Sequence, residues 1–290
     1  MYLHEISLRD PFVLAENGRY YMYGTRCDRA GGHFADAVDV YVSDDLENWT
    51  APVECCALPE GFWATSELFA PEVHVYNGGY YMLVSPRGPG RRRGTHILCA
   101  ESPMGPFVPV SPLPPTPAEF TCLDGTLYVE DGKPWMAYAV DWTQIHVGNI
   151  RAVPLTEDLT APAGDSVSLL HATDAGWGWS LTERPDDLVC EGPFFWRQAD
   201  GKLLMLWSGF CSWRCYGQAM AISESGSILG PWQAAIPPLY ADNGGHGMVF
   251  RAFDGTLYLI LHGPNIVGQE HPILVPVQET PDGLKPTEQK

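Results

Sequence analysis

A chain of 290 residues, 45% hydrophobic and 18% charged, can bury one large core or two ordinary ones and is too apolar to be disordered. Its 17 basic residues against 35 acidic give a formal charge of -18, which repels phosphate backbones and argues against nucleic acid as a partner. No window reaches the roughly 18 apolar residues of a membrane span, so no membrane partner is expected. Met1–Glu5 carries neither a basic nor an apolar targeting region, and the matching expectation is a cytoplasmic protein.

Thirty glycines, 26 prolines, 10 Trp, 13 Tyr and 11 Phe suit a chain of many short strands and frequent turns. In chain order, five stretches share one plan: a polar or small head, an apolar strand, a Gly-containing turn, then an aromatic-rich strand. The first runs from Arg9-Asp10-Pro11 through Asn17-Gly18 to Tyr20–Thr25, the second from Phe69-Ala70-Pro71-Glu72 through Asn77-Gly78 to Tyr80–Ser85. The third runs from Leu123-Asp124-Gly125 through Asp131-Gly132 to Trp135–Tyr138, the fourth from Glu191-Gly192-Pro193 through Asp200-Gly201 to Leu203–Ser208. The fifth runs from Gly245-His246-Gly247 through Asp254-Gly255 to Leu257–His262. Asn-Gly and Asp-Gly between β-rich runs are the strongest short-range hairpin signal, because both residues tolerate positive φ.

Further alternating runs lie between the heads: Val38–Ser43, His96–Ser102, Gly148–Val153 and Gln218–Ser223. Each unit therefore reads as a hairpin, a third strand, a turn and a fourth strand. Four strands wound five times make an all-β, five-bladed β-propeller, one domain over residues 1–290. A β-sandwich is the alternative, but it gives no reason for five similar heads at one period. Eight cysteines follow neither a paired zinc spacing nor a disulfide framework and are expected as reduced, mostly buried thiols. Arg91-Arg92-Arg93, the one basic cluster, lies in a Gly/Pro-rich loop and is expected to be solvated, with anion binding as the alternative.

In a propeller the first strand of each blade runs along the axis, so the heads Asp10, Asp124, Glu191 and His246 are expected to ring one cavity. Carboxyls brought that close repel, and one is kept protonated. Glu191, at the mouth of an apolar strand beside Phe and Trp, has the setting of a general acid. Taken singly, each has a plainer reading: a strand-end glutamate in water, a turn-capping Asp10, an Asp124-Gly125 turn, a packed His246.

The five heads, in this order and over essentially the whole chain, resemble the signatures of glycoside hydrolase family 43. The resemblance implies a five-bladed propeller that hydrolyses arabinose- or xylose-containing glycans with inversion at the anomeric carbon. It implies Asp10 as general base, Glu191 as general acid and Asp124 as the residue that orients Glu191 and holds up its pKa. It places His246 deep in the channel, near a calcium ion or another solvent species reached through water. A direct bond to calcium is not expected, since calcium prefers oxygen ligands. Phe69 stands where the family often has a Trp sugar platform, and His262 near the place of a sugar-binding arginine. Trp142 and Gln144 are candidates for lining the pocket, with ordinary packing equally open.

The expectation is an inverting exo-glycosidase that removes terminal α-L-arabinofuranosyl groups from plant-type oligosaccharides. A β-xylosidase and an endo-arabinanase of the same family follow in that order. A non-catalytic glycan-binding propeller is the alternative from another class.

Overall fold

The computed structural model describes residues 1–27, 35–212 and 215–287. Its strands form five four-stranded sheets, each wound from four consecutive antiparallel strands, as the repeat predicts. Blade 1 holds β1 (Leu8–Glu16), β2 (Arg19–Arg26), β3 (Val38–Ser43) and β4 (Val53–Cys56). Blade 2 holds β5 (Ser66–Tyr76), β6 (Gly79–Arg87), β7 (His96–Ala100) and β8 (Val108–Pro109). Blade 3 holds β9 (Cys122–Glu130), β10 (Lys133–Val140), β11 (Asn149–Pro154) and β12 (Val167–His171). Blade 4 holds β13 (Glu191–Arg197), β14 (Leu203–Ser212), β15 (Cys215–Ser223) and β16 (Trp232–Ala234). Blade 5 holds β17 (Gly245–Arg251), β18 (Leu257–Gly263), β19 (His271–Thr280) and β20 (Gly283–Pro286). A single helical turn, α1 (Trp142–Ile145), follows β10. No helix among the described residues is long and apolar enough to cross a membrane.

The hairpin signals act in two ways. In blades 1 to 3 the turn is two residues long and both have positive φ, as at Asn17 (52°) and Gly18 (80°). That is type I′ geometry, whose twist matches the flanking strands. In blades 4 and 5 the loop is longer, and of the Asp-Gly pair only Gly201 and Gly255 take positive φ. There the glycine ends a wider turn, so the sequence pair marks the place but not the type.

The innermost strand of each blade packs against those of its neighbours: β1 against β5 and β17, β9 against β5 and β13, β13 against β17. Both faces of a blade are covered by adjoining blades, so inner segments are apolar throughout rather than alternating. Leu203–Trp207 of β14 is buried without interruption. The ring closes where Leu8 N–H donates to the Glu270 carbonyl at 3.3 Å and Arg9 pairs with the buried Glu270 carboxylate at 3.1 Å. All eight cysteines are free, as expected.

Candidate active site

At the start of every inner strand the ladder slips, between Arg9 and Phe12, Phe69 and Glu72, Glu191 and Phe194, Gly245 and Met248, and opposite Ala137–Ala139 in blade 3. One residue at each slip has positive φ: Asp10 (52°), Ala70 (46°), Asp124 (57°), Gly192 (61°) and His246 (50°). Such bulges re-aim side chains that a regular pleat would send into the blade. The sequence reading placed Glu191 level with Asp10, Asp124 and His246, and the register corrects this. Glu191 pairs with Ser208 as Arg9 pairs with Thr25, so it stands one residue earlier and shares a level with Arg9, Phe69, Leu123 and Gly245. The position level with Asp10 in blade 4 is Gly192. A Cβ there would meet the His246 ring at 3.0 Å, so the glycine leaves that space to the imidazole.

A hydrogen-bond rule holds these heads in place. The backbone N–H at the positive-φ position donates to a side chain near the end of the second strand of the preceding blade. Ala70 N–H donates to Thr25 Oγ1 (2.7 Å), Asp124 to Ser85 Oγ (2.9 Å), His246 to Ser208 Oγ (2.7 Å) and Asp10 to His262 Nδ1 (3.2 Å). In blade 3 the equivalent residue is Ala139, opposite Leu123, which has no acceptor. The N–H of Gly192 donates instead to Asp124 Oδ2 at 3.2 Å. That bond ties Asp124 to the residue following Glu191.

Arg9, Asp10, Thr25, Phe69, Leu123, Asp124, Glu191 and His246 line one axial cavity of about 270 Å³. All the expected heads therefore meet. Thr25 Oγ1 donates to Asp10 Oδ2 at 2.6 Å, and Tyr216 donates its hydroxyl to Glu191 Oε1 at 2.7 Å. His246 Nδ1 lies 3.2 Å from Asp10 Oδ1 and 4.0 Å from Asp124 Oδ2.

The two sides of the cavity differ in charge state. Burial would push the Asp10 carboxyl up, but His246, with help from His262, Arg9 and Thr25, holds it down at about 2. Burial raises Asp124 to about 7, reinforced by the charges of Glu191 and Asp10 and opposed by His246 and the Gly192 N–H. Burial raises Glu191 as well, against the pull of His246 and the Tyr216 hydrogen bond. Two buried carboxyls side by side titrate as a pair and hold a proton toward neutrality. For His246, burial opposes protonation, but Asp10, Asp124, Glu191 and Glu72 outweigh it and raise its pKa.

The softer predictions fare differently. Phe69 lines the cavity, with the Arg93 guanidinium 4.1 Å from its ring centre. His262 is fully buried and stands behind Asp10; it accepts the Asp10 N–H, and burial pushes it down to about 3, so it is neutral. Gln144 accepts from Thr121 N–H at 2.6 Å and donates to the Glu119 carbonyl at 2.9 Å, bracing a loop, and neither it nor Trp142 lines the axial cavity. Arg93, expected in a solvated loop, is largely buried and donates to the Glu67 and Ser85 carbonyls. Thr25, Ser85 and Ser208 were missed, although three short hydroxyl residues at one repeat position are a readable signal. Tyr216 was missed too, and it occupies no repeat position that would have marked it.

Among the described residues no three His, Cys, Asp or Glu side chains are arranged to hold a metal. His246 offers one ring nitrogen, turned toward Asp10 and Asp124, where calcium takes six to eight oxygens. The side chains thus do not form a direct calcium cage.

An axial cavity in a five-bladed propeller that holds one carboxyl ionised beside a coupled pair of raised carboxyls has the groups a glycosidic-bond hydrolase needs. The model of the glycosyl hydrolases family 43 matches residues 3–284, and the chain belongs to that family. An endo-arabinase from Bacteroides thetaiotaomicron is 35% identical, covers 98% of each chain and superposes with a TM-score of 0.90. A thermostable family-43 glycoside hydrolase (24% identity, 100% and 96% coverage, TM-score 0.84) shares the fold. So does an α-L-arabinofuranosidase from Lactobacillus brevis (19% identity, 97% and 93% coverage, TM-score 0.77). No curated protein sequence matches the chain.

Proposed function

We propose that the protein is an inverting exo-glycosidase that releases terminal α-L-arabinofuranosyl groups from plant-type oligosaccharides. The observation that carries this is the split charge state of one cavity, with Asp10 at about 2 and Asp124 at about 7 beside a raised Glu191. Glu191 gives its proton to the leaving oxygen as the glycosidic bond breaks. Asp10, ionised, takes a proton from the water that attacks the anomeric carbon from the other side. Glu191 ends ionised and Asp10 protonated, and exchange with solvent resets both. Asp124, held by Gly192, keeps Glu191 in place and disfavours its early ionisation. Phe69 offers the sugar a flat apolar face.

Arabinose is favoured by the 35%-identical endo-arabinase, and exo action by a cavity of only about 270 Å³. The same relative favours a second reading, cleavage within an arabinan chain. Turnover of nitrophenyl α-L-arabinofuranoside, β-xyloside and β-galactoside, followed by proton NMR of the first anomer released, tests the proposal. Arabinofuranoside should be preferred and should give the inverted anomer, with arabino-oligosaccharides shortened one unit at a time. A retained anomer refutes the mechanism, and internal cleavage selects the endo reading. A non-catalytic propeller would release no sugar from any of them.

A further inference from the structure

Beside the axial cavity lies a second, larger one of about 590 Å³, lined by Arg87, Gly90, Arg91, Arg92, Arg93, Thr121, Asp141 and Thr143. Its volume falls within the usual range for small-molecule sites. Four arginines meet here in a chain that has 17 basic residues against 35 acidic. Their charges are unequally spent. Arg87 and Arg93 both pair with Glu67, whereas Arg91 and Arg92 have no carboxylate partner among the described residues. Arg91 lies over the Trp63 ring at 5.4 Å, which holds the guanidinium in place and leaves its charge available. The one acid in the lining, Asp141, accepts from Thr143 N–H at 2.8 Å.

The wall between the two cavities is thin. Arg93 lines this one and stacks on Phe69, which lines the other. Thr121 and Leu123, two residues apart, likewise face one cavity each. A glycan whose end unit occupies the axial cavity and which leaves past Phe69 would reach the arginines. Arginine forks match carboxylates in two-point contact. The surrounding acidic protein repels anions, so a local basic hollow is what an acidic glycan would need in order to dock.

We propose that this cavity is a subsite for a uronic acid of the substrate glycan, its carboxylate bound by Arg91 and Arg92. The proposal rests on the glycosidase reading of the neighbouring cavity. Digalacturonate and neutral xylobiose, titrated calorimetrically into the whole protein, test it. Digalacturonate should bind at least tenfold tighter than xylobiose, should weaken as salt rises, and should lose that advantage in Arg91→Ser/Arg92→Ser. Arg91→Lys/Arg92→Lys, which keeps the charge but not the fork, should retain part of it, and thermal unfolding confirms that both variants are folded. Equal binding of the two sugars, or no loss in the serine variant, overturns the subsite. So does preferential binding of inorganic phosphate. Arabinofuranoside turnover without digalacturonate binding removes the subsite alone; binding without any turnover removes the glycosidase reading and leaves the subsite.

Discussion

At four blade junctions the incoming inner strand is anchored on its neighbour's second strand through Thr25, Ser85, Ser208 or His262. At the fifth, between blades 3 and 4, Ala139 offers only a methyl group, and the freed Gly192 N–H reaches Asp124. All four hold the ring together, and Thr25 and His262 also steady the ionised Asp10. The fifth couples the two carboxyls whose proton the reaction needs. An enzyme site emerges here from one lapse in a structural repeat, at the blade whose functional residue has also moved back one position. Substitutions that restore or erase this asymmetry test it.

The largest effect belongs to Glu191→Gln, which leaves no proton to give and should lower kcat/KM on unactivated substrates by about 10²- to 10⁴-fold. Asp124→Asn keeps the shape but removes the buried carboxyl that shares a proton with Glu191. The alkaline limb of the pH–rate profile should move to lower pH, with a loss of about tenfold per unit moved. Stability gives a second readout for the same variant. A carboxyl raised to about 7 in the folded state favours folding at low pH, and this contribution fades as pH climbs from the unfolded value through 7. Asp124→Asn should flatten that decline in thermal unfolding. Ala139→Ser makes the fifth junction like the others, drawing Gly192 N–H off Asp124. One hydrogen bond redirected, about 0.5–1.5 kcal/mol, corresponds to a loss of roughly 2- to 10-fold in kcat/KM. Tyr216→Phe is mildest, since the lost bond favours ionised Glu191; the alkaline limb should move to higher pH.

The repeat and its punctuation made the propeller legible, because turn chemistry and strand period are local properties. So was the company of Asp10, Asp124, Glu191 and His246, because winding alone brings equivalent positions together. The one-residue offset of Glu191 was not, since a bulge is settled by register with the next strand and Glu191-Gly192-Pro193 reads the same either way. His262 and Gln144 looked like pocket residues because both are polar near a strand end, yet each spends its polar atoms on backbone behind or beside the cavity. Arg93 looked solvated because its partners, the Glu67 and Ser85 carbonyls and the Phe69 ring, come from other strands. Local sequence cannot display a guanidinium folded back onto the inner strands of its own blade.

The division of charge within the axial cavity is most directly tested by a ¹³C NMR titration of carboxyl-labelled aspartates, assigned with Asp124→Asn. One aspartate signal should titrate near 7 and vanish in the variant, while Asp10 should stay ionised down to about 2. If every aspartate instead titrates in the ordinary range near 4, the cavity holds no proton at neutral pH and the account fails.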